Sequence, residues 1–218
     1  MKHPHYGKVY FIGAGLGDPE LLTIKATRVL SKADVVITDR LVSEETLHAY
    51  INVNTVVVPV GKQSGSDAST LQFEINDLIV QFAAAYKNVI RLKGGDVSLY
   101  SNILDELITV KECNIPYEII PGITAASGAS AYTGVPLTAR KFATGVRILT
   151  YYKDSAIPDK AWKHLASFEG TLVFYMTGNV LPQLISKLLR PGANKEIPFI
   201  VIEQATTSES VCPSIYAW

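Results

Sequence analysis

The polar residues best placed to do chemistry stand where apolar runs end. Gly13-Ala14-Gly15-Leu16-Gly17-Asp18-Pro19 follows the run at 9–12 directly. A glycine turn of this kind can offer backbone N–H groups to a phosphate. The dinucleotide fingerprint, however, requires G-x-G-x-x-G, whereas the spacing here is G-x-G-x-G with Asp18 in the third slot. Asp18 followed by Pro19 reads as an N-cap with proline at the first helical position, which puts a negative charge where a phosphate would rest. A phosphate cradle is therefore disfavoured. Asp39 ends the run Val35-Val36-Ile37-Thr38, where a ribose-binding acid would stand, and this keeps the dinucleotide reading in play. Asp39 could equally cap the turn that follows, and Lys62, in Val60-Gly61-Lys62, could be a solvated loop lysine. Arg91-Leu92-Lys93-Gly94-Gly95-Asp96 and Pro121-Gly122-Ile123-Thr124-Ala125 complete the set of strand-end segments.

The elements that must position these residues follow from periodicity. Short β-branched runs at 9–12, 33–38, 55–60, 88–93 and 117–120 alternate with helical patterns, which predicts an α/β fold with a parallel sheet covered on both faces. Leu22, Ala26, Val29, Leu30 and Ala33 form one apolar stripe. Leu71, Ile75, Leu78, Ile79 and Phe82 form another, behind a Ser69-x-x-Gln72 capping box. In an open sheet of this type ligands sit outside the carboxyl ends of the strands, so the glycine-rich segments gather on one edge. Small residues after Pro121-Gly122 and further runs at 146–152, 171–176 and 197–203 predict a second domain. The boundary is expected at 120/121, dividing an N-terminal α/β domain (1–120) from a C-terminal one (121–218).

Composition excludes several classes. Twenty Lys plus Arg balance 20 Asp plus Glu, so no global basic field points to nucleic acid. No run of eighteen apolar residues predicts a transmembrane helix, and the start MKHPHYGK lacks the apolar core of a signal peptide. Cys113 and Cys212 are too few and too isolated for a disulfide framework or zinc site, so no metal is expected and a reducing cytoplasm is the expected compartment.

Taken in order, GAGLGDPELLT (13–23), DRLVS (39–43), VGK (60–62), RLKGGD (91–96), PGITAASGASAY (121–132) with VPLT (135–138), LVFYM (172–176) and EQATT (203–207) resemble the tetrapyrrole methylases, uroporphyrinogen-III C-methyltransferases above all. The resemblance covers nearly the whole chain. It implies two α/β domains, a parallel-rich N-terminal sheet and a mixed C-terminal sheet, with S-adenosylmethionine in the cleft between them. It also implies a cofactor shell of Leu16, Gly94, Gly95, Asp96, Leu99, Thr124, Ala125, Met176 and Ala205, in which much of the contact is backbone and the Asp96 side chain could accept from the cofactor. Asp39 and Lys62 match positions with acid–base roles, Asp39 as acceptor and Lys62 as donor. A tetrapyrrole substrate in sirohaem or cobalamin synthesis and a homodimer follow from the same resemblance. The family usually continues through another strand after Trp218, so a truncated chain is also expected.

The substrate half departs from the family pattern. GGD usually runs into a GRGGEE segment, and here it is GGDVSLYSNILDE, with Asn102 at the arginine position and Ile103 and Leu104 where glycines stand. The stripe Leu99, Ile103, Leu104, Leu107 and Ile108 predicts a helix packed on the sheet, with Asp105 and Glu106 facing outward or toward the cleft. Arg40, Lys62, Arg140, Lys141, Arg147 and Lys153 remain to meet an acidic macrocycle, and Tyr100, Tyr151 and Tyr152 could floor an aromatic pocket or pack in the core.

Overall fold

The computed structural model describes residues 5–61, 70–207 and 210. The β-branched runs form Lys8–Gly13 (β1), Val35–Asp39 (β2), Val56–Val60 (β3), Asn88–Lys93 (β4) and Tyr117–Ile120 (β5). All pair in parallel, in the order β3-β2-β4-β1-β5. Gly13 at the end of β1 is in register with Lys93 at the end of β4. Between the strands lie Ile24–Leu30 (α1), Glu44–Tyr50 (α2), Gln72–Ala85 (α3) and Ile103–Glu112 (α4), and Ala125–Thr133 (α5) follows β5.

The helix starts obey local rules. Thr23 Oγ1 accepts from Ala26 N at 3.2 Å and Ser43 Oγ from Thr46 N at 3.1 Å, each filling one orphan donor of a first turn. Ser69, expected to cap α3, lies outside the described residues. The helix begins at Gln72, and Glu74 Oε2 reaches back to accept from Leu71 N at 2.7 Å.

Alternation along the strands sends two apolar layers to opposite faces. Val9, Phe11, Val35, Ile37 and Val89 meet Ile75, Ile79 and Ala83 of α3 and Val110 of α4. Ile12, Val36, Ile90, Leu92 and Ile120 meet Ala26 and Leu30 of α1. Both faces of the central strands β1, β2 and β4 are therefore dry, while the edge strands β3 and β5 are partly exposed.

Helix α4 turns a different face inward from the one its apolar residues suggest. Ile103 and Leu107 do pack on the core, but Leu104 is 67% and Ile108 45% exposed, while Glu106 is fully buried. The placement expected for Glu106, outward or toward the cleft, is thus corrected: its carboxylate is buried against two buried cations of β4, and that attraction sets the rotation of the helix.

The chain divides into two compact units after Gly128, inside α5, with Thr206 and Thr207 belonging to the first. The division comes later than 120/121 because the segment after β5 stays tied to the loops of β1 and β4, as described below. In the second unit Val146–Thr150 (β6) and Thr171–Tyr175 (β7) pair in parallel. Trp162–Ala166 (α6) and Leu181–Leu189 (α7) cover them around Tyr151, Ile157, Trp162, Leu165, Leu184 and Leu188. The mixed pairing expected in this sheet is not seen among the described residues. The apolar run 197–203 carries only isolated bridge positions at Phe199 and Glu203.

Candidate functional site

The chain leaves β1 toward α1 on one face and leaves β4 toward α4 on the other. Adjacent strands whose connections diverge in this way make a topological switch point, and ligands of open α/β sheets bind just outside it. Three glycines cross there. A Cβ on Gly122 would lie 2.3 Å from Gly95 O and 2.7 Å from Gly13 C, and one on Gly13 would lie 2.6 Å from Gly122 N. Gly15 and Gly95 exchange backbone bonds, Gly15 N to Gly95 O at 3.1 Å and Gly95 N to Gly15 O at 2.6 Å. Gly95 has φ +71° and open space where a Cβ would point, so its backbone is left uncovered on that side.

Asp96 fastens this edge. Its Oδ1 accepts from Ser98 N at 2.8 Å and its Oδ2 from Gly122 N at 2.9 Å, so one carboxylate caps its own loop and staples the loop after β5. Lone pairs remain on both oxygens for a further donor. A Cβ on Gly128 would run into Leu16 Cδ1, so α5 seats itself on the first glycine turn, with Thr124 and Ala125 at its start. Gly94 lies against Leu41, and Leu99 N returns to Asp96 O at 3.3 Å. Leu16, Gly94, Gly95, Asp96, Leu99, Thr124 and Ala125 therefore share one edge of the first unit. Asp18 is the expected N-cap: its Oδ1 accepts from Glu20 N at 2.8 Å ahead of a short helical turn opened by Pro19.

Asp39 sits at the carboxyl end of β2, its side chain 25% exposed, and its Oδ1 accepts from Arg91 Nη2 at 2.5 Å. Arg91, only 2% exposed, also donates through Nε to Glu106 Oε1 at 3.0 Å and through Nη1 to Leu92 O at 3.2 Å and Ile37 O at 3.4 Å. Lys93 Nζ donates to the same Glu106 Oε1 at 2.8 Å. Burial and the neighbouring Arg91 push the Lys93 ammonium pKa down, against the attraction of Glu106. Sequence reasoning missed this network. The signal was available: Arg91 and Lys93 stand two apart on a central strand dry on both faces, and buried cations require buried acids.

The remaining expected residues are dispersed. Lys62 lies outside the described residues. Met176 and Ala205 belong to the second unit. Met176 follows β7 with a left-handed φ of +63° and is 55% exposed. Tyr151 is core: it is fully buried, packed edge-on against Trp162 at 5.4 Å, and its hydroxyl donates to Asp154 Oδ1 at 3.2 Å. Arg147 stacks 4.2 Å over Phe168 and Lys153 lies 5.3 Å from the Tyr152 ring. A shallow polar depression lined by Lys32, Asp34, Asn52 and Asn54 lies at the amino ends of the strands, away from the glycine loops and from the edge where such sheets bind ligands.

The sequence pattern of the Tetrapyrrole (Corrin/Porphyrin) Methylases matches residues 8–212. The chain belongs to that family. This methylase is 41% identical over 210 residues to a siroheme synthase of Methylococcus capsulatus, a match covering 96% of this chain and 44% of that protein. It is 43% identical over 203 residues to a siroheme synthase of Acinetobacter baylyi, covering 93% and 44%. It therefore spans less than half the length of those relatives. Its fold matches the uroporphyrin III C-methyl transferase of Thermus thermophilus with a TM-score of 0.78 at 34% identity, covering 94% of this chain and 86% of that one. It also matches the cobalt precorrin-4 methyltransferase CbiF with a TM-score of 0.83 at 25% identity, covering 94% and 83%. The Thermus enzyme has also been solved with S-adenyl homocysteine. S-adenosylmethionine is the cofactor of this methylase. No heavy atom lies within 4 Å of where a Cβ on Gly95 would stand. Among the described residues no helix is long and apolar enough to cross a membrane.

Proposed function

We propose that this methylase transfers methyl groups to carbon atoms of uroporphyrinogen III, giving precorrin-2 for sirohaem or cobalamin synthesis. The observation that carries this reading is a partly exposed carboxylate, Asp39, held by a buried arginine on the same sheet edge as the interlocked glycine loops. The likeness to siroheme synthases and to the Thermus uroporphyrin III enzyme supports the substrate.

When bound, S-adenosylmethionine supplies an electrophilic methyl on sulfur. The chain's own task is to hold the acceptor carbon about 3–3.5 Å from that methyl, in line and out of water. Leu16, Gly94, Gly95, Asp96, Leu99, Thr124 and Ala125 in the first unit, with Met176 and Ala205 in the second, form the proposed shell. Asp39 accepts the proton released as the pyrrole carbon is alkylated, and Lys62 donates where charge must be returned. The active form is a cytoplasmic homodimer with two-fold symmetry.

Anaerobic incubation of the chain with labelled S-adenosylmethionine and a panel of porphyrinogens tests the proposal. Transfer of label to uroporphyrinogen III, with product mass increased by two methyl groups, is expected. Sedimentation at micromolar concentration should give a dimer mass. A second reading, a methylase acting on another tetrapyrrole, is favoured by the segment at Asn102, which enters α4 directly where the family pattern the sequence resembles expects a glycine- and arginine-containing segment. Transfer to a less carboxylated macrocycle alone would establish it. Cofactor binding without transfer to any member of the panel would leave a non-catalytic binding module.

A further inference from the structure

We infer that Glu106 and Arg91 are positioning residues for Asp39: Glu106 locks the guanidinium of Arg91 from inside the core, so that one oxygen of Asp39 is fixed and the other is left toward the substrate edge. The inference rests on the reading of Asp39 as proton acceptor and adds residues to it.

The guanidinium is held on all sides. Its Nε donates to Glu106 Oε1, Nη1 to the carbonyls of Ile37 and Leu92, and Nη2 to Asp39 Oδ1. A planar fork fixed through Nε and Nη1 has no freedom left at Nη2, so the place of Asp39 Oδ1 is dictated by residues that never meet solvent. Asp39 is the only outward member, at 25% side-chain exposure against 2%, 3% and 0% for Arg91, Lys93 and Glu106. Stability alone does not call for such a cluster, since apolar residues of similar volume usually serve a core as well or better. Lys93 balances the charge: two cations stand against two carboxylates, and both cations share Glu106 Oε1 while Oε2 has no partner among the described residues. Besides Arg91 and Lys93 of β4 and Glu106 of α4, no ionisable side chain faces Asp39 from β3, whose residues are all apolar. Glu74 and Asp77 of α3 are exposed.

The test replaces the inner pair while keeping the core neutral, with Lys93→Met and Glu106→Leu combined in the full chain. Folding is read by circular dichroism, S-adenosylmethionine affinity by calorimetry, and kcat and KM with uroporphyrinogen III as the probe. The expected result is a folded protein with unchanged cofactor affinity and KM, and kcat lowered roughly a hundredfold, the size of effect that a small misplacement of a reacting group produces. Glu106→Gln combined with Lys93→Met should regain most of that loss, because the amide oxygen can again accept from Arg91 Nε. Arg91→Lys, which keeps charge and loses the fork, should fall as far as the first variant, and it decides the matter if that variant does not fold. Wild-type kcat in the folded Lys93→Met, Glu106→Leu variant, or equal kcat for the Glu106→Leu and Glu106→Gln forms of it, would overturn the inference. Asp39→Asn separates the two levels: if it alone retains full kcat, the acceptor reading falls, and positioning with it. If it abolishes kcat while the inner pair is dispensable, only the positioning claim falls.

Discussion

Arg91 Nη2 and Asp39 Oδ1 are 2.5 Å apart, so a cation buried in the central strand ends on a carboxylate at the rim of the sheet. Asp39→Asn keeps the shape and removes the charge. Its kcat should fall by about 10²- to 10⁴-fold, the usual contribution of a positioned acid–base group, with cofactor affinity unchanged. Arg91 keeps Glu106 as a partner in that variant. The stability loss should accordingly stay near 1–3 kcal/mol by urea denaturation.

Two glycines of the crossing should respond differently to alanine. In Gly122→Ala the new Cβ would lie 2.3 Å from Gly95 O, backbone against backbone, and an overpacked core of this kind loses about 1–3 kcal/mol or more. Gly95→Ala meets no atom within 4 Å, and its left-handed φ costs only about 1–2 kcal/mol. It should fold yet bind S-adenosylmethionine poorly, because its methyl enters the open space. Thermal melts with and without cofactor read both effects.

Asn102 sits ahead of α4 with φ 53° and ψ 30°, a conformation asparagine tolerates better than arginine. If uroporphyrinogen III is the native substrate, Asn102→Arg regains a charge-assisted contact worth about 1.5–3 kcal/mol, seen as a rise in kcat/KM with cofactor affinity unchanged. No rise, together with transfer to a less carboxylated tetrapyrrole, would favour the altered-substrate reading.

Lys25 and Lys8 both bond the Glu118 carboxylate, and these hydrogen bonds bring its pKa down to about 2. A carboxylate whose pKa is depressed on folding adds stability above its unfolded value near 4.5 and loses it as pH falls through 2. Glu118→Gln should therefore melt below the wild type at neutral pH, with the gap closing between pH 4.5 and 2. The pairs are solvent-facing, so the gap should be about 1 kcal/mol or less and shrink further in high salt.

The strands of the first sheet were legible because each is a short run rich in apolar and β-branched residues, all but Val35–Asp39 with a glycine or proline at one end, and the switch-point edge followed from where those runs stop. Asp18 as an N-cap was legible for a local reason: a cap depends on neighbours one or two residues away. The rotation of α4 was not. Leu104 and Ile108 outweigh Glu106 on any hydrophobicity pattern, yet two buried cations fifteen and thirteen residues away in the chain turn the helix toward its glutamate. The run 197–203 was legible only as apolar: the structure gives it isolated bridges at Phe199 and Glu203 and no continuous strand, because apolar character alone does not fix a ladder. Asp96 was legible as a polar residue at the right place, though its bond to Gly122 N depends on how two distant loops cross.

Strand β1 lies inside the sheet between β4 and β5, the last two strands of that sheet in chain order. During synthesis, then, its apolar residues must wait for Asn88–Lys93 before they can be covered on either edge. At translation rates of about 5–20 residues per second, that interval lasts several seconds, long enough for chaperones or misassociation to compete. The glycine crossing closes later still, when Gly122 emerges. The edge proposed to hold the methyl donor is thus assembled at the end of the first unit's folding, and early truncation products should bind no cofactor.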